Sequence, residues 1–118
     1  MDERQFDAQI TEVPEEIRLR LSGDLNSRAD EALASAYARV AALGPRRVSL
    51  DFAHVGYINS TGIALLVSLL AKARRDGRPV SAWGLTDHYQ EIFEITRLAD
   101  FLEVFPDEQS ARAAAEPA

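Results

Sequence analysis

A chain of 118 residues has the length of one ordinary domain, enough to bury a core without metals or disulfides. It contains no cysteine, which excludes disulfides and thiolate metal sites and suits a reducing compartment. With 13 Lys and Arg against 19 Asp and Glu, its formal charge of −6 repels phosphate backbones and anionic lipid. Nucleic acid and membrane surfaces are therefore not expected as partners. The opening Met1-Asp2-Glu3-Arg4-Gln5 lacks the basic-then-apolar pattern of a signal peptide, and no apolar run approaches the ~20 residues that span a bilayer. The expectation is one soluble, cytoplasmic domain over residues 1–118.

Residues 5–11 alternate apolar and polar, with Phe6, Ala8 and Ile10 on one face, the period-2 signal of a half-buried strand. Pro14 and two glutamates interrupt it. Ile17, Leu19 and Leu21 then alternate with Arg18, Arg20 and Ser22, so the two runs predict an antiparallel hairpin at a sheet edge. Residues 23–27 read as a loop in which Asn26 or Ser27 caps the next helix. From Arg28 to Leu43 the apolar positions Ala29, Leu33, Ala36, Tyr37, Val40 and Leu43 recur at helical spacing, and Gly44-Pro45 stops the helix.

Residues 47–52 form an apolar strand suited to the centre of a sheet, with residues 53–59 as the loop after it. A helix follows from Ser60 to about Arg75, closed by Asp76-Gly77-Arg78-Pro79. Residues 80–83 give another buried strand. Asp87 and Gln90 make a capping box for a helix over 88–96. Residues 102–105 give a last short strand, Pro106 opens a terminal helix, and residues 113–118 read as a frayed tail. No repeat or linker divides the chain. A hairpin followed by alternating helices and strands predicts an α/β domain whose mixed sheet has parallel central strands. Sites in such sheets lie beyond the carboxyl ends of the strands, where residues 53–62 fall.

The pivot is Ile58-Asn59-Ser60-Thr61-Gly62, between a buried strand and the apolar helix that starts Ile63-Ala64-Leu65-Leu66. Asn59 or Ser60 is the natural N-cap, and either places a hydroxyl at the positive end of a helix, where negative charge is tolerated. A Ser60, His54 and His88 constellation for hydrolysis can be written down. However, Ile58 occupies the first glycine position of the Gly-x-Ser-x-Gly elbow, and spacing places neither histidine against Ser60. The histidines match no zinc spacing, and the glycine-rich nucleotide motifs are missing, so no catalytic residue, metal or cofactor is expected. On the helix, Ile63, Leu66, Val67 and Leu70 form a stripe expected to face the sheet. Leu65 and Leu69 form a second stripe, for a neighbouring helix with Ile92 or Phe93 as contacts, or for a partner.

Val48-Ser49-Leu50-Asp51-Phe52 followed by Tyr57-Ile58-Asn59-Ser60-Thr61-Gly62-Ile63 resembles the signature of the STAS family. Gly84-Leu85-Thr86, the helix after it and the apolar segment 98–105 resemble the family's later elements in order. The resemblance implies a mixed sheet of four to five strands packed by about four helices. It also implies a non-enzymatic anti-sigma factor antagonist that works by partner switching. The unphosphorylated protein binds an anti-sigma factor that is also a GHKL-type serine kinase, and so frees a sigma factor. That kinase phosphorylates Ser60, with Thr61 as the neighbouring alternative, and a PPM-type phosphatase reverses the step. The implied partner surface comprises His54, Gly56, Tyr57, Asn59, Ser60, Thr61, Gly62, Ala64, Leu65 and Ser68, on a monomer or weak dimer. Asn59 departs from the family's Asp at that place. It keeps the capping oxygen, relieves repulsion of a phosphate on Ser60, and removes an acid that a kinase can read. The alternative is a STAS accessory subunit that binds a transporter ATPase or another signalling protein through the same helix, with no phosphoryl switch.

Overall fold

A computed structural model describes residues 4–115. In chain order these form β1 (Asp7–Val13), β2 (Glu16–Leu25), a 3-10 turn (Ser27–Ala29), α1 (Asp30–Leu43), β3 (Arg47–Ile58) and α2 (Ser60–Arg75). They continue with β4 (Val80–Trp83), α3 (Asp87–Ile95), a second 3-10 turn (Leu98–Asp100), β5 (Glu103–Phe105) and α4 (Glu108–Ala115). The five strands lie side by side in sequence order. β1 is antiparallel to β2, and every later neighbour is parallel. Right-handed crossovers that always step the same way put α1, α2 and α3 on one face of the sheet. This is the expected mixed α/β architecture.

The helical face carries the core. Register partners Leu19, Leu50 and Ala82 are fully buried there, together with Leu21, Phe52, Leu66, Leu70 and Phe93. Phe93 from α3 meets Phe52 edge-on at 5.7 Å between ring centroids, the arrangement their quadrupoles favour. On the opposite face the same strands present Arg18, Ser49, Ser81 and Trp83. Here α4 covers β4 and β5 and reaches β2 through Glu108, which lies 3.3 Å from Arg18. The Arg18 guanidinium also stacks over Trp83, and Ser49, buried among strands, donates its hydroxyl proton to Glu16 at 2.9 Å.

Several boundaries differ from the sequence reading, each for a local reason. β3 does not stop at Phe52 with a loop over 53–59. It runs on to Ile58, and β2 runs on to Leu25 through the stretch read as a loop, because the two extensions pair with each other. Two register shifts, between Arg20 and Ser22 and between Gly23 and Asp24, are bulges that break the period-2 pattern a strand otherwise prints on its sequence. The α3 cap is Thr86, whose Oγ1 accepts from Tyr89 N, so Asp87 is the first helical residue. Gln90 donates to the Leu85 carbonyl instead of completing a capping box. Asn26 caps the turn before α1. Residues 113–115 continue α4 and are not frayed, whereas 116–118 lie outside the described residues.

The stripe expected to face the sheet is also rotated. Leu66 and Leu70 are buried, but Val67 is 49% exposed, and Leu69 of the second stripe is buried instead. Leu65 and Leu69 flank a crevice shared with Leu33 and Tyr37 of α1, so α1, not Ile92 or Phe93, is the helix they meet. At the far end of this helix pair Tyr37 donates to Asp76 Oδ2 at 2.7 Å. Arg78 ties both to the loop after α1 by donating to Tyr37 Oη, Asp76 Oδ2 and the Pro45 carbonyl.

Burial, and then the bond to Asp76, push the Tyr37 phenol above its ordinary value of 10.0. The folded state thus holds this proton more tightly than the unfolded chain. Its contribution is fully present below pH 10 and declines as pH rises through 10 towards the folded value. Denaturant titrations of the wild type and Tyr37→Phe between pH 8 and pH 11, roughly spanning that window, are expected to show the wild type losing its advantage over the variant with rising pH.

Candidate functional site

β3 is paired with β4 only from Val48 to Asp51, so beyond that point it overhangs its neighbour and is paired on the β2 side alone. The chain leaves β4 close beneath the overhang at Gly84. Its φ is +85°, and a Cβ there would lie 2.6 Å from the Ala53 nitrogen. The open side of the overhang is closed by single bonds. Asp51 Oδ1 accepts from Ala53 N at 2.9 Å, and Tyr89 Oη on α3 accepts from Ile58 N at 3.0 Å.

Asn59 follows in extended conformation. Its N–H donates to the Leu25 carbonyl at 3.2 Å, and its Oδ1 accepts from Gly62 N at 2.9 Å, which makes it the N-cap of α2. The choice between Asn59 and Ser60 is thereby settled. Ser60 is the first helical residue, and its hydroxyl takes no part in the cap. Gly62 sits so close to β2 that a Cβ would lie 2.0 Å from the Leu25 carbonyl oxygen. Any side chain there would push α2 off the sheet.

The first turn therefore has four N–H groups to satisfy, and two are satisfied, those of Asn59 and Gly62. The N–H groups of Ser60 and Thr61 make no hydrogen bond among the described residues, and nor do the two hydroxyls; both residues are exposed. Two unused donors at the positive end of a 16-residue helix lie beside two free hydroxyls.

The expected site residues separate into groups. Asn59, Ser60, Thr61 and Gly62 form the helix entry. Tyr57, 53% exposed, and exposed Gly56 flank it on the overhang. Ala64 and Ser68 are exposed along α2, while Leu65 is half-buried towards α1. His54 stands apart from this group: its Nε2 is hydrogen-bonded to Arg20 Nη2 on β2, across the sheet face that the three large helices leave free. His88 packs against the Tyr89 ring. Neither histidine is hydrogen-bonded to Ser60, and among the described residues no group of three or more His, Asp or Glu side chains is gathered for a metal ion. Two participants had no signal in the sequence. Tyr89 reaches the loop across 31 positions, and Val67 falls outside the buried arc only because α2 is rotated.

The family described as Mlab, STAS domain matches residues 8–104, and the chain belongs to it. An anti-sigma-B factor antagonist of Staphylococcus aureus is 31% identical over 61 residues, 52% of this chain and 56% of that protein. The chain thus matches about half the length of this curated relative. Among solved structures, an anti-sigma factor antagonist from Mycobacterium paratuberculosis superposes with a TM-score of 0.75 at 21% identity, covering 92% of each chain. The Bacillus cell fate determinant SpoIIAA in its phosphorylated form superposes with a TM-score of 0.67 at 13% identity, over 91% of this chain and 98% of that one. Both structures share this fold. Among the described residues no helix is long and apolar enough to cross a membrane.

Three substitutions probe how the entry is held. Asn59→Ala should cost about 1 kcal/mol in denaturant unfolding, whereas Asn59→Asp, which keeps the oxygen, should cost only a few tenths. Tyr89→Phe deletes the acceptor for Ile58 N and should cost about 1–3 kcal/mol, with amide exchange accelerated first at Ile58.

Proposed function

We propose that this STAS domain is an anti-sigma factor antagonist controlled by phosphorylation of Ser60. Unphosphorylated, it binds an anti-sigma factor of the GHKL serine-kinase type and releases a sigma factor; phosphorylated, it lets go. A PPM-type phosphatase restores the binding form, and the exchange takes place in the cytoplasm. The name of the Staphylococcus aureus relative and the phosphorylated state of the Bacillus structure support this reading. The observation that carries it is the free hydroxyl of Ser60. It is exposed, makes no hydrogen bond among the described residues, and lies beside two N–H groups, of Ser60 and Thr61, that make none there either.

The chemistry follows from that placement. A phosphate on Ser60 brings about −1.5 to −2 charges, which two amide donors and the helix dipole can stabilise locally. The cap is made by Asn59, so the modification leaves the fold intact. What changes is the surface. Ser60, Ala64, Val67, Ala71 and Arg74 are all exposed, and their spacings of four and three line them up along one side of α2. From Ser60 to Ala71 this seam runs about 16 Å. A partner packed along its small apolar side chains would meet the phosphate at its head and have to desolvate it, which weakens docking. Thr61 is the second hydroxyl at the entry and the alternative acceptor. The role is binding, not catalysis, in keeping with His54 bonded to Arg20 and His88 packed on the Tyr89 ring, neither against Ser60.

Incubation with the GHKL-type kinases of the same genome and ATP is expected to add one phosphoryl mass that Ser60→Ala abolishes. Ser60→Asp should leave thermal stability within about 0.5 kcal/mol, because an acid suits this end of a helix. The same change should weaken the anti-sigma factor complex at least tenfold or so. If no kinase modifies the chain, Ser60→Asp binds as the wild type does, and an ATPase subunit co-purifies, the accessory-subunit reading replaces this one.

A further inference from the structure

α4 covers the second face of the sheet over β4 and β5 and reaches Arg18 of β2 through Glu108; among the described residues no helix covers that face at Arg20, Ser22 and His54. Two side chains meet there in an unusual pairing. Arg20 of β2 donates from Nη2 to Nε2 of His54 on β3, which the register shift after Arg20 brings opposite Ser22. Several arginines elsewhere on this chain take carboxylates: Arg18 with Glu16 and Glu108, Arg46 with Glu15, Arg47 with Glu16, Arg78 with Asp76, Arg97 with Asp100. Arg20 instead spends a donor on a base that is itself a cation when protonated. Its register neighbour Asp51 directs Oδ1 to its own strand, accepting from Ala53 N.

A recess of about 400 Å³ opens beside this pair. Among the described residues its walls are Arg4, Gln5, Gln9, Arg20, Ser22, Gly23 and His54; the Asp24 carboxylate beside it accepts from Arg4 N, and Asp7 is the cross-strand partner of Ser22. A protein of formal charge −6 thus contains a hollow lined by two arginines, a histidine, two glutamines and a serine. The volume falls in the range of small-molecule sites, and the donors approach from three strands and the segment before β1. A planar carboxylate would use one fork of one arginine. A tetrahedral oxyanion can accept from Arg20, Arg4, His54 and Ser22 at once, in the charge-assisted geometry that makes arginine a phosphate ligand.

We propose that this recess binds a small phosphate monoester, its phosphoryl group held between Arg20 and His54. The site lies on the sheet face away from α2, so it is separate from the Ser60 entry and does not depend on the function proposed there. Binding replaces the Arg20–His54 bond with two bonds to the ligand: Arg20 donates from its guanidinium, and the imidazole donates from Nε2 once a proton taken from solvent or from the ligand's acid form sits there.

Inorganic phosphate is the probe, titrated into isotopically labelled protein against sodium chloride at matched ionic strength. Saturable shifts are expected at the backbone amides of Gln5, Ser22 and Gly23 and at the His54 ring, with no comparable response to chloride. Arg20→Gln should weaken the phosphate affinity at least about tenfold, the loss of one charge-assisted partner. Arg4→Gln, outside the sheet, should weaken it several-fold and serves as the second variant should Arg20→Gln not fold. Equal responses to chloride and phosphate would overturn the proposal. So would unchanged phosphate affinity in whichever of the two variants folds. Glycerol 3-phosphate binding more tightly than inorganic phosphate would support the monoester; equal or weaker binding would overturn that part of the assignment.

Discussion

The backbones of β2 and α2 meet closely where the Leu25 carbonyl lies in the space a Cβ on Gly62 would need. That contact fixes how deep the helix enters the layer, and much of the helix entry follows from it. The same carbonyl receives the Asn59 N–H, so one oxygen both ends β2 and positions the cap of α2. With Asn59 held, its side chain reaches Gly62 N, and Ser60 and Thr61 are left facing outward. A backbone contact that excludes side chains thus leaves two hydroxyls without structural work.

The pairing of β2 with β3 supplies the second constraint. Both strands outlast β4, and the extension is held by bulged pairing on one side and by the Tyr89 hydroxyl on the other. α3 is therefore in direct contact with the strand that delivers Ser60, through the hydrogen bond to Ile58 and the Phe93–Phe52 ring contact. At the other end of the molecule the Tyr37, Asp76 and Arg78 bonds join α1, the end of α2 and the loop before β3. The helix pair is tied at its base, away from the entry.

The parts of this architecture that depend on local chemistry were legible in the sequence. Both bounds of α2 were readable, because Asn59 offers a cap and Asp76-Gly77 a stop, and so were β4 and the Gly44 end of α1, where φ is +66°. The STAS resemblance rests on that same local pattern around Asn59-Ser60-Thr61-Gly62. Features that need a distant partner were not legible. Bulges concealed the second half of β3, since residues 53–58 carry no clean alternation. The orientation of α2 was set by α1 packing over Leu65 and Leu69, which buried Leu69 and left Val67 outside. Tyr89 gives no sign on its own helix that its hydroxyl serves another strand. His54, close to Ser60 in sequence, belongs to the opposite side of the sheet because a strand changes faces at every residue and a bulge changes the count.

Because Asn59 makes the cap, position 60 carries almost no folding duty. A residue that both starts a helix and carries a signal can be altered only at the expense of the helix. Under the proposed function the two tasks fall to neighbouring residues, so a lineage can try alanine, glutamate or threonine in place of serine at position 60 without passing through an unfolded intermediate. Responsiveness to a kinase can then be gained, lost or fixed in one state by a single codon, while the scaffold is maintained by Asn59, Gly62 and Leu25.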